Sequence, residues 1–390
     1  MTEKMLEAFK RLNKRAEQAE YKGYEFDDLL GSPVLKPLSF GNLFLQRVIV
    51  QIGELCPVNF RSLVGVRQLE STKARGFFAK GYLYAYLATQ DGRWLEHARK
   101  QLDWLLIHPS PGFEGLAWGN AFDFASRGGF FPKELPTIVW TAHIAATFLL
   151  AYEICGEERY LNALAQACRF IVIELPRHED RNGICFAYAP GLMNLIHNSN
   201  LLGAATLLRG WRYFGTEEYR TLAERSYCWS LEHMNSDGSW YYGIGRRYRW
   251  IDNHHTAYVI DGLVAADDIA PGEIVDSALI ERSYRYWISN FFVESGLPRF
   301  YPNATFPVDI QCAAQAIESL SKLSPRFSDA LPLAKRVADW TIENMQKPTG
   351  GFRYQIRRFW KNNLEPIHWG QSTMLAALGA LCYYTNKYSA

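Results

Sequence analysis

Apolar residues recur along most of this chain with the spacing of helices, in segments that alternate with short turns. The pattern predicts pairs of helices, one inner and one outer, repeated along the chain. Inner helices are predicted near 70–89, 137–155, 191–214, 252–268, 307–323 and 366–387. Outer helices are predicted near 91–107, 157–174, 216–234, 271–292 and 327–346, and a sixth near 39–55 completes the set.

A glycine followed by aromatic residues marks the connections between successive pairs. Gly183, Gly238, Gly296 and Gly351 lie 55, 58 and 55 residues apart, a period that indicates a repeat architecture. Because a repeated helix pair with such loops usually closes into a ring, we predict an all-α (α/α)6 toroid. Its aromatic loops are expected to gather at one rim around a central cavity.

The ring is predicted as a single domain over residues 38–390, since no linker or low-complexity tract interrupts the pattern. Residues 1–37 are predicted as a lead-in, made of a charged amphipathic helix peripheral to the fold and an irregular segment. A chain of 390 residues fits one toroid of this kind.

The charge balance and the cysteine content narrow the kinds of binding partner and the cellular compartment that we expect for this protein. The 42 basic and 40 acidic residues leave a net charge of +2, which argues against a general nucleic-acid or anionic-membrane surface but not against a local basic site. The seven cysteines are odd in number and lack C-x-x-C spacing, so we expect reduced thiols in a cytoplasmic protein. No signal peptide is visible, and the longest apolar stretch, 137–152, is short for a bilayer, so we expect no transmembrane segment.

Arginines and aromatic residues crowd the predicted rim loops. Guanidinium groups hold carboxylates or phosphates with two hydrogen bonds, and aromatic faces stack on sugar rings. Together they predict a site for a charged oligosaccharide or polysaccharide. The alternative is that the arginines pair with local acids on a wet surface. The candidate substrate-binding residues of these loops are Trp240, Arg246, Arg247, Tyr248, Arg299, Tyr301, Arg353 and Tyr354.

The segment before the fourth inner helix is the richest in candidate chemistry. Asp252 or Asn253 can cap that helix, and His254 and His255 in its first turn point about 100° apart. The helix dipole disfavours a charged imidazole there, so either histidine can serve as a neutral general base. The alternative is that both histidines are hydrogen-bonded parts of the packing.

Other inner helices also begin with polar or aromatic side chains. Buried polar groups are costly unless they have a partner, so a shared polar end of several inner helices favours a ligand cavity. These residues are Trp118, Asn120, Asp123 and Arg127 in the first long connection, then His197, Asn198, Asp309, His368, Trp369 and Gln371. The sequence contains no H-E-x-x-H, C-x-x-C or phosphate-binding glycine loop, so no metal and no cofactor are expected, and the balanced charge leaves no nucleic acid expected.

A resemblance to a known family rests on four segments of the chain: 23–33, 57–61, 73–84 and 252–256. Over its full length the chain resembles a family of bacterial polysaccharide-biosynthesis proteins of the VpsJ type through these segments. The first of them is similar to the family's G-x-D-P-Y-D-x-L-N-S, although the proline is absent and Gly31 stands where asparagine is usual. The resemblance implies a helical toroid encoded with exopolysaccharide or capsule machinery, with glycan-assembly proteins as partners.

A second resemblance concerns the segments 240–242 and 250–256, W-Y-Y and W-I-D-N-H-H-T. They are similar in order and spacing to W-Y-D-L-R and W-D-Y-H-T-T-H in the helical domain of glucuronyl C5-epimerases. Asn253 replaces a tyrosine, and the last histidine of that motif has no counterpart. The resemblance implies proton transfer at a uronic acid.

These observations favour a carbohydrate-active protein that abstracts a proton α to the carboxylate of a uronic acid, as lyases and epimerases do. The rim arginines would neutralise the carboxylate and stabilise the developing enolate. His254 or His255 would be the base, and Tyr242, Tyr248 or Tyr354 the second proton carrier.

Two alternatives stay open. A glycoside hydrolase needs two carboxylates across a cavity, for which Asp123, Asp252 and Asp309 are the candidates. A non-catalytic glycan-binding subunit of an assembly complex would carry the same aromatic and arginine rim without the chemistry.

Overall fold

The computed structural model describes residues 3–388, and α-helices make up most of it. The helices are α1 Glu3–Gln18, α2 Leu43–Leu55, α3 Thr72–Thr89, α4 Gly92–Leu106, α5 Ile138–Cys155, α6 Glu158–Glu174, α7 His197–Phe214, α8 Glu217–Leu231, α9 Asn253–Ile269, α10 Ser277–Phe291, α11 Ile310–Leu323, α12 Ala330–Met345 and α13 Thr373–Tyr388.

Six inner helices form a closed ring. α3, α5, α7, α9, α11 and α13 each contact the next inner helix along the chain, and α13 returns to contact α3. Outer helices α4, α6, α8, α10 and α12 pack on the inner helices that precede them, and α1 packs on α13. Large side chains of the outer helices, such as Tyr160, Tyr227 and Trp287, are fully buried. The predicted (α/α)6 toroid is confirmed.

The sixth outer helix is α1, so the prediction that residues 39–55 close the ring is wrong. α1 lies against α12 and α13 and buries Met5, Phe9 and Leu12, one side of a helix that was expected to be peripheral. The apolar positions of α1 are three to four residues apart, as burial against a ring requires, although charged residues surround them. α2 lies instead across one end of the toroid, against the turn at Asp28–Gly31 and the strand at Phe124–Ser126.

Glycines of the repeat approach the outer helices too closely for a side chain. A Cβ on Gly350 would lie 2.5 Å from the backbone oxygen of Arg11 in α1, and its φ of +95° also favours glycine. The repeat position is therefore Gly350 and not the neighbouring Gly351. The same close approach joins Gly115 to α6, Gly183 to α8, Gly238 to α10 and Gly296 to α12.

Nine short strands lie in the connections within residues 3–388. They are β1 Lys22–Gly23, β2 Leu69–Glu70, β3 Phe124–Ser126, β4 Gly129–Phe131, β5 Arg177–Asp180, β6 Gly183–Phe186, β7 Val308–Asp309, β8 Gln355–Ile356 and β9 Lys361–Asn362. All pairings are antiparallel: β1 with β2, β3 with β4, β5 with β6, and β7 with β8 and β9 in one sheet. These connections lie at the end where the inner helices begin, which we call the rim.

Helix α5 is the one described helix that is long and apolar enough, by length and composition, to cross a membrane. It is an inner helix of the ring, in contact with α3 and α7. The seven cysteines are all free thiols, as the sequence predicted.

Candidate functional site

A cavity of about 390 Å³ opens at the rim, beside the first turns of α7 and α9. Four parts of the chain form its walls: the lead-in at Phe26 and Asp27, helix α2, the β3–β4 hairpin, and the loops that precede α7 and α9. We call it the rim cavity. Because separate connections of the ring converge here, side chains distant in sequence face one another.

His255 is held on the wall of the rim cavity by a carboxylate. Asp252 caps α9: its Oδ1 accepts the backbone N–H of His255 at 3.0 Å, and its Oδ2 lies 2.6 Å from the ring Nδ1 of His255. The indole N–H of Trp250 donates to the same Oδ2 at 2.9 Å. With Nδ1 bound to Asp252, Nε2 is the nitrogen of His255 that is available to a ligand.

Burial and neighbouring groups together set the protonation of Asp252 and His254, the two neighbours of His255. Burial by itself raises the pKa of Asp252, but His254, His255 and the hydrogen bonds from His255 outweigh it and lower that pKa below the usual range. Burial lowers the pKa of His254 to about 3, so that its ring is neutral at pH 7. The Nδ1 of His254 lies 3.3 Å from Asp252 and 3.4 Å from the Sγ of Cys312. His254 therefore supports the wall from inside, and His255 is the histidine that reaches the cavity.

Aromatic rings line the wall around His255. Tyr242 stacks on Trp250 with 4.4 Å between ring centres, and the His255 ring is also 4.4 Å from Tyr242. Tyr248 donates its hydroxyl hydrogen to Asn194 Oδ1 at 2.6 Å. Burial raises the pKa of Tyr242 well above its usual value, so that its phenol keeps its proton at neutral pH. The wall offers ring faces for a sugar and a hydroxyl that can donate.

Two arginines face the cavity. Arg47 comes from α2, and Arg127 comes from the turn between β3 and β4. The Arg127 guanidinium lies 5.1 Å from the centre of the Trp250 ring. Neither arginine forms an ion pair with a residue of the described part of the chain, so both charges are available to an anionic ligand.

Two carboxyl groups complete the lining. Burial, assisted by the charge of Asp28, raises the pKa of Asp27 to about 7. Burial also raises the pKa of Glu54, against the opposing charge of Arg357. Glu54 accepts a hydrogen bond from Gln51 at 2.7 Å, whereas the Oδ1 of Asp27 is buried without a partner among the described residues.

Six of the predicted residues meet at this cavity or immediately behind it: Arg127, Tyr242, Tyr248, Asp252, His254 and His255. Asp123 lies elsewhere, in an ion pair with Lys36 at 2.5 Å. Asp309 caps α11 and accepts a hydrogen bond from Gln355 at 2.6 Å. The three carboxylates considered for a hydrolase therefore do not face one another across the rim cavity.

The predicted rim arginines are placed around the cavity and not in its walls. Arg246 is exposed, and Arg247 packs on the Tyr248 ring at 4.7 Å. Arg299 donates to backbone oxygens of Asn290 and Pro302, and Arg353 donates to Asn363 at 3.0 Å. Tyr301 is 41% exposed.

Several of the other predicted residues are parts of the packing. Trp118 and Trp240 donate their indole hydrogens to the backbone oxygens of Leu105 and Ser230. His197 is buried against Trp229, at 5.1 Å between ring centres. Asn120 and Asn198 are also buried.

The start of the sixth inner helix joins the lead-in. Gln371 bonds to the backbone of Phe352, and Tyr354 stacks on Phe26 at 4.7 Å. His368 is buried beside Glu25 and Ser71, and the Trp369 ring lies 2.8 Å from the Nζ of Lys73. Of this group, only Phe26 reaches the rim cavity itself.

Sequence reasoning did not find Asp27, Arg47, Glu54 and Tyr188 in the cavity lining. A signal for two of them was present, because Arg47, Gln51 and Glu54 follow one another at the spacing of a single helix face. Asp27 stood inside a quoted motif but carried no pattern of its own.

No protein-family model matches the chain, and no curated protein matches it in sequence. The fold is similar to that of cellobiose 2-epimerase from Bacillus thermoamylovorans, with a TM-score of 0.64 and 10% identity over 97% of this chain and 98% of that one. A sugar epimerase from a ruminal bacterium gives 0.62 and 11%, over 84% and 90%. An unsaturated glucuronyl hydrolase specific for heparin gives 0.60 and 13%, over 99% and 97%. At such identities the similarity shows the fold alone, and the VpsJ resemblance stays a prediction.

Proposed function

We propose that the rim cavity binds a sugar unit of an acidic glycan and that His255, oriented by Asp252, moves a proton on it. The supporting observation is the contact between His255 Nδ1 and Asp252 Oδ2 at 2.6 Å, which leaves Nε2 for the substrate. A carboxylate that holds one ring nitrogen fixes the tautomer and the orientation of the ring. Tyr242, whose ring centre is 4.4 Å from that of His255, is the proposed second proton carrier.

The acidic nature of the substrate rests on Arg47 and Arg127. Both line the cavity, and neither is neutralised by an acid of the described chain. A carboxylate bound there would gain charge-assisted hydrogen bonds, and an enolate formed next to it would be stabilised. The structural relatives are two sugar epimerases and an unsaturated glucuronyl hydrolase, which supports a sugar ligand but does not identify it.

The reaction is tested by incubating a uronate-containing glycan with the protein in deuterated water. Proton abstraction places deuterium at C5 or gives an unsaturated product that absorbs in the near ultraviolet. The change His255→Gln should reduce this signal by at least about a hundredfold, since a general base typically contributes 10²–10⁴-fold. His178→Gln is the matched control, because the His178 side chain lies at the surface outside the cavity, with its Nε2 3.3 Å from Asp180.

The role of the arginines is tested by binding. Arg127→Ala should weaken the binding of an acidic glycan by roughly ten- to a hundredfold, and Arg127→Lys should recover part of it. The exposed Arg93 provides the control Arg93→Ala. If Arg47→Ala and Arg127→Ala both leave acidic-glycan binding intact, the substrate is not recognised by its carboxylate.

A hydrolase is the second candidate, favoured by one observation. Asp27 and Glu54 both line the cavity, and burial raises the pKa of each, as suits a general acid. New reducing ends without deuterium incorporation would favour this candidate, and binding without any product would favour a non-catalytic glycan-binding subunit.

The cellular setting belongs to the same proposal. The VpsJ resemblance supports a role in polysaccharide biosynthesis beside glycan-assembly proteins. The seven free thiols support a reducing, cytoplasmic location.

A further inference from the structure

A second group of side chains lies behind the lead-in wall of the rim cavity. Glu25, Asp27 and His368 each offer one ligand atom, and these atoms all lie within 4.8 Å of one another. Glu25 and Asp27 come from the lead-in, and His368 comes from the turn before α13, so the closed ring brings the three together. Asp27 also faces the cavity.

Glu25 and His368 are buried and Asp27 is half-buried, and each of the three keeps one buried polar atom without a partner among residues 3–388. Glu25 and His368 are 1% and 0% exposed. Within the described chain, Glu25 Oε2, Asp27 Oδ1 and His368 Nε2 have no hydrogen-bond partner. The nearby ammonium of Lys73 does not reach either carboxylate, since its Nζ lacks a hydrogen bond and lies 2.8 Å from the centre of the Trp369 ring. Buried polar atoms without partners are costly, which points to a missing ligand.

We infer that Glu25, Asp27 and His368 bind one divalent metal ion such as Mn²⁺. Ligand atoms at about 2.0–2.6 Å from one ion are at most about 4–5 Å apart, and the atoms of this group lie within 4.8 Å of one another. Two carboxylates and an imidazole suit Mn²⁺ more than a thiol-seeking ion. The backbone N–H of His368 donates to Glu25 Oε1 at 2.5 Å, and Ser71 Oγ lies 3.1 Å from His368 Nδ1, so two of the ligands are already oriented. The inference does not depend on the proposed reaction.

Isothermal titration calorimetry of chelator-treated protein with Mn²⁺ tests the site without any glycan. One ion should bind per chain, and Glu25→Gln and Asp27→Asn should each weaken binding by at least about 10–100-fold, because even partners of ligands have effects of that size. Asp123→Asn is the acidic control outside the site. Asp252→Asn is the control for the other group of acid and histidine side chains, Asp252, His254 and His255, whose members already bond to one another.

Near-ultraviolet circular dichroism of each variant establishes folding, and Asp27→Asn, at the cavity wall, is the variant expected to fold if Glu25→Gln does not. Lys73→Met provides a further arm: it should keep or strengthen Mn²⁺ binding. The inference is overturned if the wild type binds no stoichiometric Mn²⁺, which would leave Lys73 as the counter-charge of the acids. It is also overturned if Asp252→Asn abolishes binding while Asp27→Asn does not.

A different observation concerns the outer face of α2. Phe44, Val48 and Ile52 follow one face of the helix and are 69%, 39% and 50% exposed. The tip of the β8–β9 hairpin adds Phe359, 82% exposed, and the hairpin is joined to the end of α2 by Asn362, which donates to the backbone oxygens of Glu54 and Cys56. Contiguous apolar exposure of this kind marks an interaction surface.

The geometry points to this surface as the contact with an anionic lipid bilayer. Arg358 precedes Phe359 at the hairpin tip and Lys361 begins β9 two residues after it, and neither forms an ion pair with a residue between 3 and 388. An apolar helix face beside aromatic and basic side chains is typical of interfacial membrane binding. A second copy of this chain would bring the same positive charges together, which favours the bilayer. The inner face of α2 lines the rim cavity, so the bilayer contact places that cavity at the membrane surface.

Co-sedimentation with phosphatidylcholine vesicles, with and without phosphatidylglycerol, tests this contact. We expect binding to the phosphatidylglycerol vesicles that weakens at high salt. Ile52→Glu should reduce binding at least about tenfold, since it replaces an exposed aliphatic side chain that the bilayer would bury with a negative charge. Ile173→Glu is the matched control, because Ile173 is equally exposed at 50% on α6. The proposal is overturned if no vesicles bind, if both variants behave alike, or if sedimentation velocity shows a dimer that Ile52→Glu dissociates.

Discussion

The close approach of Gly350 to α1 provides a test of how the ring is closed. In the variant Gly350→Ala, the new Cβ would lie 2.5 Å from the Arg11 carbonyl oxygen and 2.9 Å from its carbon, at a φ of +95°. Gly156→Ala is the matched control: its φ is +68°, and no atom lies within 4 Å of the new Cβ. The two variants share the backbone strain and differ in the contact with α1.

The expected loss follows from adding two effects. Positive φ destabilises an L-residue by about 1–2 kcal/mol, and this applies to both variants. Forcing an added methyl into a packed contact destabilises by about 1–3 kcal/mol more, and this applies to Gly350→Ala alone. We therefore expect a loss of about 2–5 kcal/mol for Gly350→Ala and about 1–2 kcal/mol for Gly156→Ala.

Urea unfolding followed by circular dichroism measures the difference, and limited trypsin digestion locates it. Since α1 carries Lys10, Arg11, Lys14 and Arg15, its loosening in Gly350→Ala should speed cleavage within the first 18 residues. Gly156→Ala should leave that cleavage rate unchanged. Equal stability losses in the two variants, together with an α1 that stays resistant in both, would refute α1 as the sixth outer helix.

Three further outcomes concern a buried histidine, a buried ion pair and the cysteines. Burial lowers the pKa of His197 to about 3, against about 6.5 when unfolded, so its neutral form is favoured in the fold and stability is lost as pH falls below about 6.5. Between pH 7 and pH 5 the free energy of unfolding of the wild type should fall by about 2 kcal/mol more than that of His197→Leu. Urea unfolding of both proteins at both pH values measures this, and an equal fall in the two free energies would contradict it. Arg61→Met removes the cationic partner of the buried Asp28, now 2.6 Å away, and should lower the free energy of unfolding by about 3–5 kcal/mol. Arg93→Met, at the exposed pair with Asp91, should lower it by less than about 1 kcal/mol, and similar denaturant midpoints for the two variants would count against the buried pair. Alkylation of the unfolded, unreduced protein should label all seven cysteines, and a mass short by two labels would reveal a disulfide.

The alternation of inner and outer helices could be predicted because it is a local property. Each inner-to-outer pair is close in sequence, and the turn glycines and helix caps lie within it. The exact start of the inner helices was harder to predict from the sequence. Helix α13 begins at Thr373, after a π-helical turn over Ile367–Ser372, whereas the predicted helix began at 366. That turn is fixed by contacts with the lead-in, such as the bond from His368 to Glu25, which are 343 residues apart.

The glycine period also predicted the repeat correctly, but the last of its four positions was ambiguous. Gly350 and Gly351 are adjacent, and either continues the repeat within one residue. Only the approach of Gly350 to the backbone of Arg11 distinguishes them, and that contact joins opposite ends of the chain. The same contact identifies α1 as the ring-closing helix, so the two errors have a single cause.

The exchange of roles between α1 and α2 shows what a pattern of apolar and polar positions leaves undetermined. Such a pattern states that a helix has two unlike faces, but not which face meets the protein. In α1 the apolar face is buried in the ring. In α2 the polar face, with Arg47 and Glu54, turns inward to the rim cavity, and Phe44 and Ile52 face outward. A helix that presents polar groups to a ligand and apolar groups to the outside has the same sequence period as an ordinary outer helix. The cavity residues of α2 could therefore be recognised only once the ring itself supplied the inside and the outside.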